Sequence, residues 1–413
     1  MNLTKQAAVF LEGRIAAPGW RHFMYFVNMS LRRDVRRRRP KSEDADLRDK
    51  FCSNPFELFE MHEDGSVFMC CPRWLPWTAG NLHGQDADAI WNSPRAQEVR
   101  RSILDGDFKY CNRDLCPLIA SDSLPSRAQA RKNPFLRDII DNRKTVLDPL
   151  PRRINLSNDR SCNLSCPSCR TRVLNFATGY AYELRKKLQD RLVKAFFSKP
   201  TKAVFAVNVT GSGDPFASRV LREFLHQLDS KDFPNLHVYL QTNGTLFNEK
   251  AWRRLSKIRN NISTVSVSFD AAREETYKIT RRGGNWQHLL NNMRFLSQLR
   301  ANGSLRHLRI DYVVQGANFR EMPEFVAIGK ELSVDVVAFS KAVNWGTWTA
   351  GEYRDLSVWD ATHPDHAEFQ RIIAQPVFDD AKVSLGNLTQ DRRQALRAHT
   401  PVEAAESHLT VSS

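Results

Sequence analysis

From residue 151 onward, short apolar runs alternate with longer stretches whose apolar positions recur at helical spacing. The runs are RINLS (153–157), AVFAVNVT (203–210), LHVYLQT (236–242), TVSVSFD (264–270), RIDYVV (309–314) and DVVAFS (335–340). All are short and β-branched, as strands are. Between them lie YELRKKLQDRLVKAFF, SRVLREFLHQL, NEKAWRRLSKI, NWQHLLNNMRFLSQLRANG and EMPEFVAIGKEL, each readable as an amphipathic helix. Six strands alternating with five helices predict parallel βαβ units, hence an α/β fold built as a barrel or an open sheet. Ligands then belong at the carboxyl ends of the strands. The motifs that stand out all fall there: NDRSCNLSCPSC, GSGDPF, TNGTLF, DAA and QGAN.

The first part of the chain has a different texture. Residues 1–49 form a basic N-terminal extension. Residues 50–120, rich in cysteine, tryptophan and turn signals, predict a small metal-stapled module with little regular core. Residues 121–150 read as a linker with one short helix, residues 151–345 as the main domain, and residues 346–413 as an extension ending in a disordered tail. The length of 413 residues and the hydrophobic fraction of 41% are those of a folded protein of about two domains. No run of about 18 apolar residues predicts a spanning helix. The N-terminal apolar patch is broken by Glu12 and Arg14, which makes a poor secretory signal, so a cytoplasmic location is expected.

Net charge is +15, unevenly spread: RRDVRRRRPK (32–41) carries seven positive charges against one negative. A solvated basic arm is the plain reading. Contact with a membrane surface through residues 20–41 is a second, and nucleic acid is the less favoured third.

In a reducing compartment, clustered cysteines bind metal or do redox chemistry more often than they form disulfides. Of eight cysteines, Cys162, Cys166 and Cys169 stand together on the loop after the first strand. Structural zinc wants four ligands, and catalytic zinc with three cysteines in so short a loop is uncommon. A [4Fe–4S] cube held by three thiolates fits better, because its fourth iron stays open to an exogenous ligand.

C-x3-C-x2-C in that position, with motifs at five strand ends, resembles the radical S-adenosylmethionine (radical SAM) superfamily over roughly residues 151–345. The resemblance implies a partial (β/α)6 TIM-like barrel. It also implies reductive cleavage of S-adenosylmethionine to methionine and a 5′-deoxyadenosyl radical that abstracts a substrate hydrogen. By it, Cys162, Cys166 and Cys169 hold the cluster, and Ser168 stands where an aromatic residue is usual. GSGDP stands for the family's Gly-Gly-Glu-Pro-like turn. Gly211 and Gly213 would let the backbone approach the ligand, and Asp214 would accept from the methionine amino group. Asn243 would line the pocket, Ser268 and Asp270 would meet the ribose, Arg281 the methionine carboxylate, and Gln315 and Asn318 the adenine.

Cys52-x12-Gly65-x4-Cys70, completed by Cys111-x4-Cys116, resembles the SPASM and twitch auxiliary-cluster domains of such enzymes. The resemblance implies one auxiliary [4Fe–4S] cluster held by Cys52, Cys70, Cys111 and Cys116, with Cys71 left over. A zinc ribbon is the alternative for this module. The order is unusual, since the auxiliary domain here precedes the barrel.

The expected function is therefore a radical SAM oxidoreductase or maturase, served by a reductant such as flavodoxin or ferredoxin. Its expected substrate is a peptide or protein. The alternatives are a sugar, an aminocyclitol or a lipid-linked saccharide and, from another class, a zinc-stapled nucleic-acid-binding protein.

Overall fold

A computed structural model describes residues 46–399 apart from 121 and 149. Most of the basic extension, the segment 20–41 and the expected disordered tail lie outside the described residues. No described helix is long and apolar enough to cross a membrane.

Among the described residues ten strands form one sheet, ordered β10-β9-β8-β7-β6-β5-β4-β1-β2-β3. The six expected strands are β4 (Arg153–Ser157), β5 (Phe205–Val209), β6 (Leu236–Thr242), β7 (Ile262–Ser268), β8 (His307–Val314) and β9 (Val336–Lys341). They pair in parallel and in chain order. The connections run through α2 (Gly179–Phe196), α3 (Arg219–Gln227), α4 (Glu249–Arg254), α5 (Glu274–Thr280) with α6 (Trp286–Ala301), and α7 (Met322–Glu331). This is a partial (β/α)6 barrel. Helix α5 is an addition to the expected five, too short to show a helical period.

Two further strands extend the barrel wall. β1 (Leu58–His62) pairs in parallel with β4 over five residues, from Leu58 opposite Arg153 to His62 opposite Ser157. β10 (Val383–Ser384) pairs in parallel with β9. β1 continues into an antiparallel ribbon with β2 (Ser66–Phe68) and β3 (Gly80–Asn81). The cysteine-rich stretch thus has regular structure after all, and it shares the barrel's sheet.

Helix α1 (Pro94–Asp105) fastens this stretch through Arg100, which is fully buried. Its guanidinium donates to the carbonyls of Pro55, Thr145 and Trp91 and stacks over the Trp91 ring at 4.3 Å. Beyond β9, Asn344 accepts from Arg73 at 3.3 Å, and Gln390 donates to the Ala120 carbonyl at 3.4 Å. These contacts tie the two ends of the open wall together.

Strand alternation separates two environments. Val207, Leu240, Val265, Val267 and Ile310 are buried against the helices. Asn155, Asn208, Tyr239, Gln241, Ser266, Arg309 and Asp311, on the other face, line a cavity of about 740 Å³. Closed eight-stranded barrels fill this space with branched apolar side chains. Here it is polar and open.

Because β1 covers the edge of β4, a chain beginning at residue 121 would expose a parallel strand edge and strip away the buried Phe59 and Met61. Such a fragment is expected to go to the insoluble fraction. Recovery of a soluble monomer with the melting temperature of the full chain would contradict the shared sheet.

Candidate iron–sulfur and cofactor site

The cysteine loop begins where β4 ends. Asp159, with its side chain fully buried, accepts from the Ser161 amide and hydroxyl at 2.9 Å and from the Ser218 hydroxyl at 2.6 Å. Ser218 also caps α3 by accepting from the Leu221 amide. The Cys162 amide donates to the Leu174 carbonyl, and the Cys169 and Arg170 amides turn back onto the Cys166 carbonyl. Ser165 donates its amide to the Arg282 carbonyl, which docks the loop on the RRGG turn after α5. Cys162, Leu164 and Cys166 form a small buried cluster with Cys169 packed on it. All eight cysteines are free.

Each thiol of the trio meets a different side-chain donor. Asn243 Nδ2 lies 3.6 Å from Cys162 Sγ, Arg281 Nη1 3.7 Å from Cys166 Sγ, and Arg170 Nη2 3.1 Å from Cys169 Sγ. Burial pushes the Cys162 thiol up to about 11, with Asp214 adding to the push and Arg170 opposing it. Burial raises Cys166 as well, against the pull of Arg281. Cluster binding therefore displaces protons. Among the described residues no three His, Cys, Asp or Glu side chains group as ligands of a single metal ion. A cube instead takes each thiolate on its own iron.

Of the residues expected to touch S-adenosylmethionine, Asn243, Arg281 and Asp214 contact this loop, but several are occupied by the protein itself. Asp214 is 1% exposed and takes four internal donors: Thr242 Oγ1 and the Asn243 amide on one oxygen, the Phe216 and Ala217 amides on the other. It joins the β5 and β6 loops and faces no open space. Asn318 does similar work, donating to the Asp270 and Val313 carbonyls and accepting from the Gln315 amide. Asp270, with φ of 57°, accepts from the Val313 amide and sits 2.8 Å from Arg281 Nη2. Burial raises the Asp270 carboxyl while Arg281 pulls it down. Burial alone would lower Arg281, but Asp270 and Cys166 outweigh it and hold the guanidinium cationic. Ser268 ends β7 opposite Asp311.

Two donors beside the trio remain without a hydrogen-bond partner among the described residues: Arg281 Nε and the hydroxyl of Tyr277. Tyr277 is fully buried, and its proton is held by burial. Three thiols, each with a donor, and spare buried donors alongside fit a cluster with a bound amino-acid ligand. Sequence reasoning missed Tyr277 and Arg170; the latter's only signal is its place directly after the third cysteine.

Cys52, Cys70, Cys111 and Cys116 line one pocket with Trp74, Leu75 and Phe108. Backbone bonds from Asn112 to Trp74, and from Cys116 to Asn112, fold the later pair onto the earlier one. Asn54 Nδ2 lies 3.6 Å from Cys70 Sγ, and its Oδ1 accepts from Arg153 at 2.6 Å. Burial pushes Cys52 up to about 11 and Cys111 up to about 12. Cys71 does not line this pocket and feels the charges of Glu60 and Arg73.

The register separates the two cysteine sets. Cys162 follows the carboxyl end of β4, whereas Cys70 is linked through Asn54 to Arg153, the first residue of that strand. The polar cavity, lined by Arg153 and Asn155, lies along the strands between those levels. Asn155 and Asn208 of its wall are joined to each other and, through Asn155, to Glu60 and His62 of β1 by hydrogen bonds of 2.8–2.9 Å, and Asp311 accepts from Arg309 and Ser266. All of these side chains escaped the sequence reading, although in β5 and β7 the apolar–polar alternation announces Asn208 and Ser266.

Comparison with known proteins accords with this geometry. The Radical SAM superfamily profile matches residues 160–326, and that of SPASM, an iron–sulfur cluster-binding domain, matches residues 52–117. A GTP 3′,8-cyclase of Lactiplantibacillus plantarum is 27% identical over 191 residues, 46% of this chain and 53% of that enzyme. The chain thus spans about half the length of this curated relative. Among solved structures, Streptococcus suis SuiB is similar at 13% identity and a TM-score of 0.38, covering 70% of this chain and 63% of SuiB. Native anSMEcpe with bound AdoMet is similar at 16% identity and a TM-score of 0.35, covering 55% and 59%. The chain thus carries a radical SAM domain, which implies a [4Fe–4S] cluster and S-adenosylmethionine, preceded by a SPASM domain, which implies auxiliary iron–sulfur.

Proposed function

We propose that this enzyme abstracts a hydrogen atom from a peptide or protein segment admitted to the polar barrel cavity. Cys162, Cys166 and Cys169 would hold the cluster that binds S-adenosylmethionine, and Cys52, Cys70, Cys111 and Cys116 an auxiliary cluster that takes or returns one electron. A flavodoxin- or ferredoxin-like reductant would supply the first electron. The observation that carries this reading is the amide- and hydroxyl-lined cavity lying between the levels of the two cysteine sets.

When bound, the cluster and S-adenosylmethionine supply a reductive cleavage to methionine and a 5′-deoxyadenosyl radical, which takes the substrate's hydrogen atom. The chain's own residues bind and position. Arg281, fixed by Asp270, offers its free Nε to a carboxylate, and the Tyr277 hydroxyl is a second spare donor beside it. Asn243, Ser268 and Gln315 would meet the rest of the ligand, while Asp214 and Asn318 brace the backbone at Asn243 and Gln315. Asn155, Asn208 and Gln241 present both donors and acceptors, which suits the amide groups of a peptide.

Gly211 and Gly213 serve the loops more directly than the ligand. A Cβ at Gly211 would stand 2.2 Å from Ser157 Oγ, and one at Gly213 would stand 2.4 Å from the Asp159 carbonyl and 2.7 Å from that of Ser161. These carbonyls belong to the cysteine loop itself. Gly213→Ala is therefore expected to lower the iron and sulfide retained per chain to about half, the auxiliary cluster's share, while Gly351→Ala, whose Cβ would meet nothing closer than Thr349 Oγ1 at 3.9 Å, leaves the count unchanged. Equal iron in both proteins would show that the close approach is not needed.

Reduced, iron-loaded protein given S-adenosylmethionine should release 5′-deoxyadenosine, and Cys162→Ala should abolish it. Absence of that product from fully loaded protein would sink the reaction class. For the substrate, peptide and saccharide fractions from cells grown in deuterated medium can be supplied separately. Deuterium should enter 5′-deoxyadenosine from the peptide fraction; entry from the saccharide fraction alone would replace the peptide reading.

A further inference from the structure

Arg170 is 5% exposed and forms no ion pair among the described residues. Its Nη1 donates to the Arg160 carbonyl, and its Nη2 to the Ser212 carbonyl at 2.6 Å and to Cys169 Sγ at 3.1 Å. The charges that act on it most strongly are those of Cys169, Cys162 and Cys166. Arg281, the other guanidinium at the trio, differs in having a carboxylate of its own, Asp270 at 2.8 Å.

A buried guanidinium without an anion is costly, and carbonyl oxygens neutralise none of its charge. Three protonated thiols would leave Arg170 in that condition. Three thiolates on an iron–sulfur cube give it a counter-charge, and one that grows when the cube is reduced. Net charge and hydrogen bonds to sulfur are among the main determinants of the potential of such clusters. The carbonyls of Arg160 and Ser212 hold the guanidinium in place, so it does not swing out to solvent when the charge changes.

We infer that Arg170 is the positioning residue whose unshared positive charge sets the reduction potential of the cluster held by Cys162, Cys166 and Cys169. Arg281, already balanced by Asp270, contributes less. This rests on the ligand assignment above, which iron and sulfide analysis of Cys162→Ala protein tests on its own.

The test is potentiometric reduction of the reconstituted full chain, followed by electron paramagnetic resonance. The relevant signal is the one that shifts on adding S-adenosylmethionine, which separates it from the auxiliary cluster. In Arg170→Gln protein with full iron and sulfide, the reduced fraction at fixed potential should fall about tenfold, equivalent to ~59 mV for one electron. Arg170→Lys, which keeps the charge, should stay within about threefold of the wild type. An unchanged midpoint in the glutamine protein overturns the inference. So does a lysine protein that falls as far as the glutamine one, because the carbonyl-bound fork rather than the charge would then matter. If the glutamine protein loses its iron, the lysine protein decides: cluster retained at the wild-type midpoint supports the inference, and loss of the cluster overturns it.

Discussion

A thiolate taken out of water needs donors facing it, and the upper end of this barrel is arranged around that requirement. The three cysteines lie on one loop, yet their donors come from three places: Asn243 from the β6 loop, Arg281 from the end of α5, and Arg170 from the loop itself. Those elements must hold their relative positions to within a few tenths of an ångström. Asp214 is the rivet between the β5 and β6 loops, and Asp159 ties the cysteine loop to the start of α3. Gly213 lets the β5 loop lie against the cysteine loop. Asp214 and Asp159 are spent on holding these loops together, which leaves neutral and cationic donors to face the three thiols.

The same strands that carry the loops build the chamber below them. A parallel sheet covered by helices on one face must bury that face, and Val207, Val265, Val267 and Ile310 do so. Nothing covers the other face except the curvature of the sheet itself. Its side chains are therefore free to be polar, provided they satisfy one another. Glu60 does so with His62 and Asn155, and Asp311 with Arg309 and Ser266. With Glu60 and Asp311 internally matched, amide and hydroxyl groups stand beside apolar side chains on the wall.

Much of this was legible in the sequence, for a definable reason. The six barrel strands and their helices alternate with periods that local physics dictates, and the cysteine trio falls at the first strand end as a βα unit requires. The residues that proved harder were those whose partners are remote in the chain. Nothing near Asp214 reveals that Thr242 and Asn243 will saturate it, and nothing near Asn318 reveals its bonds to Asp270. β1 was missed because five residues after a short helical turn carry no clear period, and its identity comes from pairing with β4 across about ninety residues of chain. The polar cavity was hidden in plain view. Strands such as β5 and β7 were weighed for their β-branched content, whereas the alternation of Asn208 with Val207 and Val209, or of Ser266 with Val265 and Val267, carried the information.

β1 also removes the difficulty posed by an auxiliary domain that precedes its barrel. Two parallel neighbours in a sheet need a crossover of a dozen or more residues, and the chain between β3 and β4 supplies far more, with α1 as part of it. What positions Cys52 and Cys70 is the pairing of Leu58 with Arg153 and the Arg153–Asn54 bond, neither of which depends on whether β1 comes before β4 in sequence or after β9. Placement of the auxiliary cysteines follows from which strand edge is covered. On that ground the edge of β4, and not the order of domains, is the constraint that locates the auxiliary cysteines relative to the barrel cavity.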